Sequence, residues 1–524
     1  MVKRTKLPIG IQSFEKLRED GYLYVDKTAY VYGLAKAGVP YFLSRPRRFG
    51  KSLLVSTMRA YFEGRRELFE GLEIERLEGN GPDAWQPHAV FHFDFNGADY
   101  TRDDALAQKL DVQLARWEES RGIVAEGGLG DRFACLLAAA HEQTGRRCVV
   151  LVDEYDKPLL DAMDDPDLLE RNRMTFKSFF GVLKSADEHL RFAFITGVTK
   201  FSKVSIFSDL NQLNDISLNR DYASVCGITE EELVANFDGE VGRLAEELGL
   251  ARKECMGKLR TMYDGYCFHP ASPGVYNPFS LLRCFFNRDL GSYWFESGTP
   301  TFLVRRLRET HFDVRKLTDG TLWAAEARVS DYRADDPDPV PLLYQSGYLT
   351  IKDFDAAARV LSLGVPNGEV ERGLAESLLA DWAPASDPGS GKDVYTLRAR
   401  MLAGDTDGMR DVFFALFASI PYTREADPFE NYFQTVIYLV FTLLGQMAHV
   451  EMHAAVGRVD CVTECGGFVY LFEFKRDGTA AEALAQIDAR GYAAPYAADP
   501  RELVRIGAAF ESGSRMLADW EARR

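Results

Sequence analysis

The sequence predicts a mixed α/β protein, and three stretches of the chain indicate this class. A short apolar strand precedes a loop that contains Gly50-Lys51-Ser52, and an amphipathic helix follows the loop. An all-apolar strand at residues 148–152 ends in a pair of carboxylates. Near the C-terminus, two strand-like segments flank Gly466-Gly467. Apolar strands followed by helices favour a buried parallel sheet, whereas a two-residue Gly-Gly connection favours an antiparallel hairpin.

The first stretch has the order that a phosphate-binding loop requires. Residues 39–43 predict a buried strand, and the amphipathic helix begins at Lys51. Gly50 lets the backbone turn so that N–H groups and the positive helix end face an anion. Lys51 can then reach the outer phosphates, and the Ser52 hydroxyl can hold Mg²⁺. Arg45 occupies the position of the first glycine in the GxxxxGK[ST] pattern, which forbids a very close backbone approach there.

The second stretch delivers two carboxylates to the edge of a sheet. In a P-loop NTPase the first acid, here Asp153, orders Mg²⁺, and the second, here Glu154, polarises the attacking water. These acids follow Lys51 by about 100 residues, so the two motifs together predict a P-loop NTPase domain that uses ATP and Mg²⁺. A third strand ends in hydroxyls where a γ-phosphate sensor belongs. Thr196 is the candidate, although a threonine at a strand end is equally typical of plain packing.

Composition and charge limit the remaining possibilities. The 524 residues suffice for about three domains. No stretch reaches about 18 uncharged apolar residues and no signal-peptide core follows the N-terminus, so we expect a cytoplasmic protein without a membrane span. The eight cysteines are scattered, which is typical of reduced thiols. The net charge of −17 argues against a general electrostatic grip on nucleic acid but leaves room for a local basic patch.

The segments around these motifs have simpler interpretations. Residues 7–28 alternate aromatic and polar side chains, and we expect them to dock on the edge of the nucleotide domain rather than to contact a base directly. From residue 229 the chain becomes helical and acidic, starting from a good N-cap. A strip rich in Pro, Ser, Asp and Gly at residues 383–391 predicts a hinge ahead of the last domain.

The C-terminal hairpin determines which side chains face each other. With Gly466-Gly467 as a two-residue turn, cross-strand partners have residue numbers that sum to 933. Asp460 and Glu473 satisfy this rule, so we expect them directly opposite each other on one face, with Cβ atoms about 5 Å apart. Facing carboxylates repel unless a cation lies between them, and a hard divalent ion such as Mg²⁺ is the natural one.

A lysine adds a chemical function to this pair. Lys475 lies two residues after Glu473 and therefore on the same face, where it can orient a water or stabilise charge that develops on a phosphate. Glu473 is surrounded by aromatic and aliphatic neighbours, so its strand should be largely buried. The arrangement predicts a metal site, and the alternative interpretation is a structural pair of acids.

These motifs resemble a bacterial family that couples an AAA-ATPase-like domain to a C-terminal PD-(D/E)XK nuclease domain. The N-terminal segments that carry the resemblance are residues 8–10, 24–28, 45–52, 152–158 and 195–202. Arg45 is itself similar to the family pattern, so its presence need not abolish nucleotide binding. The resemblance implies a nucleotide site made of Arg47, Arg48, Phe49, Gly50, Lys51, Ser52, Asp153 and Thr196.

The C-terminal motifs of the resemblance are residues 457–460, 473–475 and 486–487, within a predicted core of helix, three strands, helix and strand. They imply that Asp460 and Glu473 hold the metal and that Lys475 is catalytic. Gln486 and Glu430 would support the site, although Glu430 is equally typical of an acid at a helix start.

The family comparison also implies a domain organisation. Segments in the middle of the chain resemble those that follow the ATPase core, and they imply a helical, winged-helix-like region. We expect an AAA-like P-loop domain at residues 1–225, this middle region at 226–420 and a restriction-endonuclease-like domain of the PD-(D/E)XK type at 421–524.

Two functions from different classes are compatible with these motifs. The first is an ATP-gated, Mg²⁺-dependent nuclease that acts on nucleic acid, with DNA preferred over RNA, and that can form a homo-oligomer. The second is a signalling or scaffold ATPase whose nuclease-like domain binds a nucleic acid or protein partner without cleavage. The intact carboxylate and lysine set favours the first function, whereas the acidic net charge favours the second or a partner-dependent activity.

Overall fold

The structure of the protein is a computed structural model. It describes residues 6–81, 83–201, 213–295, 301–310, 312–318, 320–330, 332, 336–382, 391–418, 429–445, 449–452, 460–512 and 516–524. For residues 301–302, 382, 391–393, 429–434 and 449–452 only the backbone is described. The hinge predicted at 383–391 and the domain boundary predicted at 420 lie almost entirely outside the described residues.

The chain forms two compact units, and each unit contains two stretches of sequence. The first unit comprises Met1–Trp294 and Leu322–Asn367, and the second comprises Phe295–Thr321 and Gly368–Arg524. The predicted boundary at residue 225 therefore falls inside the first unit, and the part of the predicted middle region that begins at Gly368 lies in the second. The division into three domains at 1–225, 226–420 and 421–524 stays a prediction.

A five-stranded parallel sheet forms the centre of the first unit. Its strands are β1 (Tyr41–Ser44), β2 (Val90–Asp94), β3 (Cys148–Asp153), β4 (Leu190–Gly197) and β5 (Asn214–Asp215). The spatial order is β2-β3-β4-β1-β5, and every neighbouring pair is parallel. All six side chains of β3 are buried, as a strand covered on both faces requires. This arrangement confirms the predicted α/β class with a parallel sheet.

Among the described residues, eight helices surround this sheet: α1 (Phe14–Glu19), α2 (Thr28–Ala37), α3 (Lys51–Phe62), α4 (Glu73–Glu78), α5 (Ala105–Arg121), α6 (Leu129–Thr144), α7 (Lys157–Leu160) and α8 (Pro166–Ser185). Aromatic contacts hold three of them against β2 and its end. Phe91 packs on Trp117 of α5, and Phe93 packs edge-on against Phe133 of α6. Phe95 does the same with Phe176 of α8, so one face of the sheet edge is sealed by aromatic rings.

The first unit continues with helices and a small antiparallel sheet. The helices are α9 (Glu230–Glu247), α10 (Arg252–Tyr263) and α11 (Pro278–Asn287), followed, after the second unit's α12 (Thr301–Glu309), by α13 (Glu326–Val329) and α14 (Val340–Gln345). The strands β6 (Trp323–Ala325), β7 (Thr350–Asp355) and β8 (Val360–Gly364) pair in the order β6-β8-β7. α9 begins at the predicted N-cap, where the Thr229 hydroxyl and the Glu232 carboxylate form a reciprocal capping box.

The second unit is built on a mixed five-stranded sheet. Its helices are α12, α15 (Gly368–Trp382), α16 (Gly391–Leu402), α17 (Thr406–Ala418), α18 (Phe429–Gly445) and α19 (Ala480–Ala489). Its strands are β9 (His449–Met452), β10 (Cys461–Cys465), β11 (Phe468–Arg476), β12 (Glu502–Phe510) and β13 (Leu517–Arg523). They lie in the order β13-β12-β11-β10-β9, and only β11 and β12 are parallel. The chain order of α18, three strands, α19 and β12 is the core predicted for the PD-(D/E)XK type.

Both faces of this second sheet are covered. On one face Leu484 and Ile487 of α19 pack against Val462, Val469 and Leu471. On the other face the ring of Phe472 contacts Phe413 of α17 and Phe441 of α18. The central strand β11 is therefore buried for most of its length, as its aromatic composition predicted. Among the described helices, none is long and apolar enough to cross a membrane.

Candidate nucleotide and metal sites

The loop between β1 and α3 has the geometry of an anion-binding turn. β1 ends at Ser44 and α3 begins at Lys51, close to the predicted limits. Gly50 precedes the helix with φ at 93°, a conformation that glycine adopts at little cost. Arg48 also has a positive φ, 68°, which is uncommon for a residue with a side chain. The turn therefore places the N-terminus of a 12-residue helix at the end of a buried strand.

Lys51 is positioned within this loop by its own backbone. Its Nζ donates hydrogen bonds to the carbonyl oxygens of Arg45 at 3.0 Å and Pro46 at 3.1 Å. The same Nζ lies 3.9 Å from Oε1 of Glu154. Only 4% of Lys51 is exposed, so its charge is available to a group that enters the loop and to little else. Lys51 and Glu154 thus lie together, as both motifs require.

Asp153 lies at the end of β3 with an unused acceptor. The residue is 3% exposed, and its Oδ1 has no hydrogen-bond partner among the described residues. Burial raises the pKa of Asp153 to about 6, and the hydroxyl of Ser52 opposes this effect. Asp94, its direct neighbour on β2, adds a second negative charge. A buried carboxylate beside a hydroxyl and another acid fits a hard divalent cation such as Mg²⁺.

Arg45, in the first-glycine position of the loop, and Thr196, the predicted phosphate sensor, direct their polar groups into the protein interior. The guanidinium of Arg45 donates to the carbonyl oxygens of Ser44, Ser217 and Tyr222 and lies 4.0 Å from the ring centre of Phe268. The side chain in the first-glycine position therefore does not enter the loop. The Thr196 hydroxyl donates to the carbonyl oxygen of Leu43 at 2.8 Å within the sheet, so in this structure it is already used by the backbone.

A cavity of about 570 Å³ opens at the loop. Its polar wall includes six residues predicted from the sequence, namely Arg47, Arg48, Phe49, Gly50, Lys51 and Ser52, together with Glu154. Its apolar wall includes Leu23 and Val25 from the N-terminal segment and Phe237, Phe279 and Leu282 from α9 and α11. The N-terminal segment thus lines the cavity in addition to docking on the domain. A charged end and an apolar end are what a nucleotide's phosphates and base require.

Asp156 has a role that sequence reasoning missed. It is fully buried, and its carboxylate accepts hydrogen bonds from the N–H groups of Val198 and Thr199 and from the Thr199 hydroxyl. Gly197 leaves room for this carboxylate, because a side chain there would collide with it. Burial raises the pKa of Asp156. The only sequence signal was a third acid after the Asp153-Glu154 pair, which by itself predicts an exposed turn.

The β10–β11 hairpin has the predicted register. Cys461 pairs with Phe472 and Cys465 pairs with Phe468, so partner numbers sum to 933 along the ladder. Gly466, the first turn residue, has φ at 60°, as a type II′ turn requires. Asp460 lies one residue before β10, and its Oδ2 accepts a hydrogen bond from the N–H of Phe474 at 2.9 Å. Asp460 is thereby held beside Glu473.

Glu473 is the most deeply buried member of this site. It is 2% exposed, and its Oε1 accepts hydrogen bonds from the Gln486 amide and, at 3.4 Å, from Lys475 Nζ. Lys475 Nζ also donates to the amide oxygen of Gln486. Burial, reinforced by the charge of Asp460, raises the pKa of Glu473 to about 7. Burial likewise raises the pKa of Asp460. Four of the predicted residues thus lie in one hydrogen-bonded group.

The donor set of this group fits a divalent cation. Oε2 of Glu473 is buried without a partner among the described residues, and Asp460 supplies a second carboxylate beside it. Among the described side chains, no cluster of three or more His, Cys, Asp or Glu residues is placed to hold a metal. Glu430 lies in the first turn of α18 and Glu451 lies on β9 opposite Val462, and in both cases only the backbone is described. The two described carboxylates leave room for water ligands.

Comparison with known proteins agrees with this geometry. Residues 8–207 match the family described as Predicted AAA-ATPase. Residues 428–520 match the family described as PD-(D/E)XK nuclease superfamily. A relative from Azotobacter chroococcum mcd 1, named "Uncharacterized protein in vnfD 5'region", is 39% identical over 531 residues, which cover 98% of each chain.

These matches place two protein classes on one chain, an ATPase of the AAA-like type and a nuclease-type fold. The chain belongs to the family of proteins that join a predicted AAA-ATPase domain to a C-terminal domain of the PD-(D/E)XK nuclease superfamily.

Proposed function

We propose that this protein is an ATP-binding, ATP-regulated nuclease that hydrolyses phosphodiester bonds in nucleic acid, DNA in preference to RNA, with Mg²⁺ as its metal. The observation that carries this proposal is the buried carboxylate of Glu473, which faces Asp460, contacts Lys475 and Gln486, and has one oxygen without a partner among the described residues. A buried, unpaired carboxylate oxygen is costly unless it binds something. Binding a metal ion that in turn contacts a substrate phosphate is the role that best offsets this cost.

Each side chain of this group has a separate task. Asp460 and Glu473 would hold Mg²⁺, which supplies a water of lowered pKa and neutralises charge on the phosphate. Lys475 is 28% exposed at its side chain, so it can contact a substrate phosphate while Gln486 fixes its position. Gln486 bridges Lys475 and Glu473, which keeps the cation beside the carboxylate rather than in solvent. Glu430 stays a proposed supporting residue.

The nucleotide half of the proposal rests on the 570 Å³ cavity and the residues at its charged end. Gly50 and the start of α3 would receive the phosphates, and Lys51 would exchange its two carbonyl partners for phosphate oxygens. Ser52 and Asp153 would hold the Mg²⁺ that accompanies ATP, and Glu154, 3.9 Å from Lys51, would polarise a water. Arg47, which is exposed and lines the cavity, would add a second cation to the phosphates.

The test is a cleavage assay with a matched pair of variants. Purified parent protein, Glu473→Gln and Glu464→Gln are incubated with single- and double-stranded DNA and RNA in Mg²⁺, with and without ATP. Glu464 lies on the same hairpin but forms an ion pair with Arg501 at 2.7 Å, so its variant controls for the loss of an acid. We expect Glu473→Gln to lower cleavage by roughly 100-fold or more, because metal ligands matter at least as much as their supporting residues. Equal cleavage by Glu473→Gln and the parent would refute the site.

The second candidate is a signalling or scaffold ATPase whose nuclease-like domain binds a partner without cutting. The net charge of −17 favours it, because an acidic chain attracts nucleic acid poorly. In that case the parent would bind ATP and leave every nucleic acid intact under all the conditions of the assay.

A further inference from the structure

The chain passes between the two compact units at three places. Phe295–Thr321 belongs to the second unit, whereas the residues before and after it belong to the first, and the chain crosses again at Gly368. The segment Phe295–Thr321, called here the crossing segment, is therefore covalently fixed to the first unit at both ends. Its surroundings decide whether nucleotide binding can affect it.

The last two residues of the first unit before the crossing segment are hydrogen-bonded to the phosphate loop. Arg48 donates hydrogen bonds from one guanidinium nitrogen to the carbonyl oxygens of Tyr293 at 2.9 Å and Trp294 at 3.4 Å. Trp294 is the residue immediately before the segment. The guanidinium also lies 3.8 Å from the ring centre of Phe279 on α11, which fixes its plane. Arg48 thus connects the loop backbone to the last two residues of the first unit.

A second loop residue contacts the same region. Pro46 packs against Gly347, where a side chain would collide with the proline ring. The neighbouring residue Tyr348 packs its ring 5.0 Å from that of Trp294. The phosphate loop is therefore connected to Trp294 in two ways. Arg48 donates a hydrogen bond to its carbonyl oxygen, and Pro46 reaches its ring through the packing of Gly347 and Tyr348.

After the crossing segment, the chain of the first unit is hydrogen-bonded to β8 and to the residues that follow β4. The carbonyl oxygen of Leu322, the first residue after the segment, accepts a hydrogen bond from Leu363. Ten residues later the N–H of Tyr332 donates to the carbonyl oxygen of Lys200, three residues after β4 ends. The rings of Tyr332 and Phe201 lie 5.3 Å apart. Within the first unit, Tyr332 is thus held by the residues that follow β4, next to those that Asp156 orders.

Within the second unit, the crossing segment packs on α15 and on α18, and α18 lies in the region that matches the nuclease family. The ring of Phe295 lies against Gly373 of α15. Leu307 and Val314 are completely buried, and the turn Val314–Leu317 contacts α18. The side chain of Thr318 hydrogen-bonds that of Tyr438 on α18. α18 is the helix whose first turn contains Glu430.

We propose that Arg48 is a positioning residue that relays occupation of the phosphate loop to the crossing segment and, through it, to the unit that contains Asp460, Glu473 and Lys475. Arg48 has a left-handed φ within the loop, and its side chain projects from the same backbone whose N–H groups would receive a phosphate. That side chain is tied to the carbonyls of Tyr293 and Trp294, so the change reaches the crossing segment. This inference rests on the proposed function only for ATP binding and for the identity of the regulated site.

The structure offers a matched control one residue earlier in the chain. Arg47 has the same charge and lines the same cavity, but it is exposed and forms no hydrogen bond with another described residue. Arg47→Met and Arg48→Met therefore remove the same charge from the same loop. Only Arg48→Met removes the link to Tyr293 and Trp294. Arg48→Lys keeps a donor for one carbonyl and serves as the conservative variant.

The experiment measures hydrogen exchange in peptides that cover Thr301–Leu317, in the full chain, with and without ATP and Mg²⁺. Nucleotide affinity of each variant is measured by titration. We expect the parent to show an ATP-dependent change in these peptides. At ATP concentrations that saturate each variant in the titration, Arg48→Met should lose the change, Arg48→Lys should restore part of it, and Arg47→Met should keep it. In the cleavage assay, the effect of ATP on the cleavage rate is the ratio of the rates with and without ATP. This effect should be about fivefold or more smaller in Arg48→Met than in the parent.

The outcomes separate this inference from the proposed function. Failure of the parent to bind ATP would overturn both. ATP binding without an exchange change in the parent would overturn the coupling alone and leave the nuclease proposal standing. A full exchange change in Arg48→Met, or loss of the change in Arg47→Met at saturating ATP, would overturn the role of Arg48. Should Arg48→Met fail to fold, Arg48→Gln is judged by the same criteria.

Discussion

Single buried carboxylates mark both candidate sites. Oδ1 of Asp153 and Oε2 of Glu473 each lack a partner among the described residues, and burial raises the pKa of the first to about 6 and of the second to about 7. The physical cause is the same, because a charged oxygen without water or a cation is poorly stabilised. At both sites a proton and a metal ion therefore compete for the same oxygen.

This competition predicts a pH dependence of stability for the metal-free protein. The pKa of Glu473 is about 7 in the fold against 4.5 for the unperturbed group, so between these values the folded state holds a proton that the unfolded chain has lost. Stability therefore falls as pH rises from about 5 to about 7 and then levels off. Glu473→Gln should lack this loss of stability, which in the parent amounts to about 1–3 kcal/mol at pH 8. Urea unfolding in EDTA at pH 5.5 and pH 8 measures it.

Added Mg²⁺ provides the control for this prediction. Saturating metal should stabilise the parent at pH 8 more than at pH 5.5, because the metal requires the ionised carboxylate. Glu473→Gln should lose most of that difference. The same pH slope in the parent and the variant without metal would show that Glu473 is not the titrating group.

At the scale of secondary-structure elements, the hairpin shows why its register was predictable. A two-residue turn fixes which residues of the two strands face each other. The pairing of Asp460 with Glu473 therefore follows from their equal distance from Gly466-Gly467 along the chain. Likewise β1 and α3 follow each other directly in the chain. The limits of β1 differ from the predicted strand by two residues or fewer, and α3 begins at the predicted residue, Lys51. Local order of this kind is encoded in periodicity and turn residues.

Contacts between distant parts of the chain were not predictable in this way. Asp156 caps a loop more than 40 residues away, and Arg48 contacts carbonyls 245 and 246 residues later. Thr196 lies at a strand end, where the sequence predicts a phosphate sensor, but its hydroxyl donates to the strand beside it. A backbone carbonyl partner has no signature in the sequence, so neither Tyr293 nor Trp294 could be identified beforehand.

The hairpin turn gives a prediction at this scale. Gly466 has φ at 60°, where a β-branched side chain is strained. Gly467 does not have a positive φ, and a Cβ added there would lie in open space. Gly466→Val should destabilise the second unit by about 1–3 kcal/mol, and Gly467→Ala by much less. Denaturant unfolding compares the two variants with the parent. Equal losses would mean that the turn is not what sets the pairing of Asp460 with Glu473.

At the scale of the whole molecule, the second unit is discontinuous in sequence. Its first stretch, the crossing segment, contributes completely buried side chains such as Leu307 and Val314. Burial of an aliphatic side chain is worth about 1.5–3 kcal/mol. The C-terminal nuclease-type fold therefore depends on residues that precede the last part of the first unit.

This dependence predicts the behaviour of a C-terminal fragment. A chain of Gly368–Arg524 alone lacks the crossing segment and should unfold at clearly lower denaturant concentration than the same unit in the full protein, by several kcal/mol. The control joins Phe295–Thr321 to Gly368–Arg524 through a flexible glycine-serine linker. It should recover most of the loss. A fragment as stable as the control would show that the crossing segment is dispensable for this fold.

The interleaved order of the two units also limits how domains of such a protein can be exchanged between genes during evolution. A nuclease domain that occupies one uninterrupted stretch can be exchanged between genes by a single recombination event. Here an exchange would have to replace Phe295–Thr321 and Gly368–Arg524 together and leave Leu322–Asn367 between them unchanged. The two parts are therefore expected to descend as one piece, and the relative from Azotobacter chroococcum mcd 1 matches across both of them.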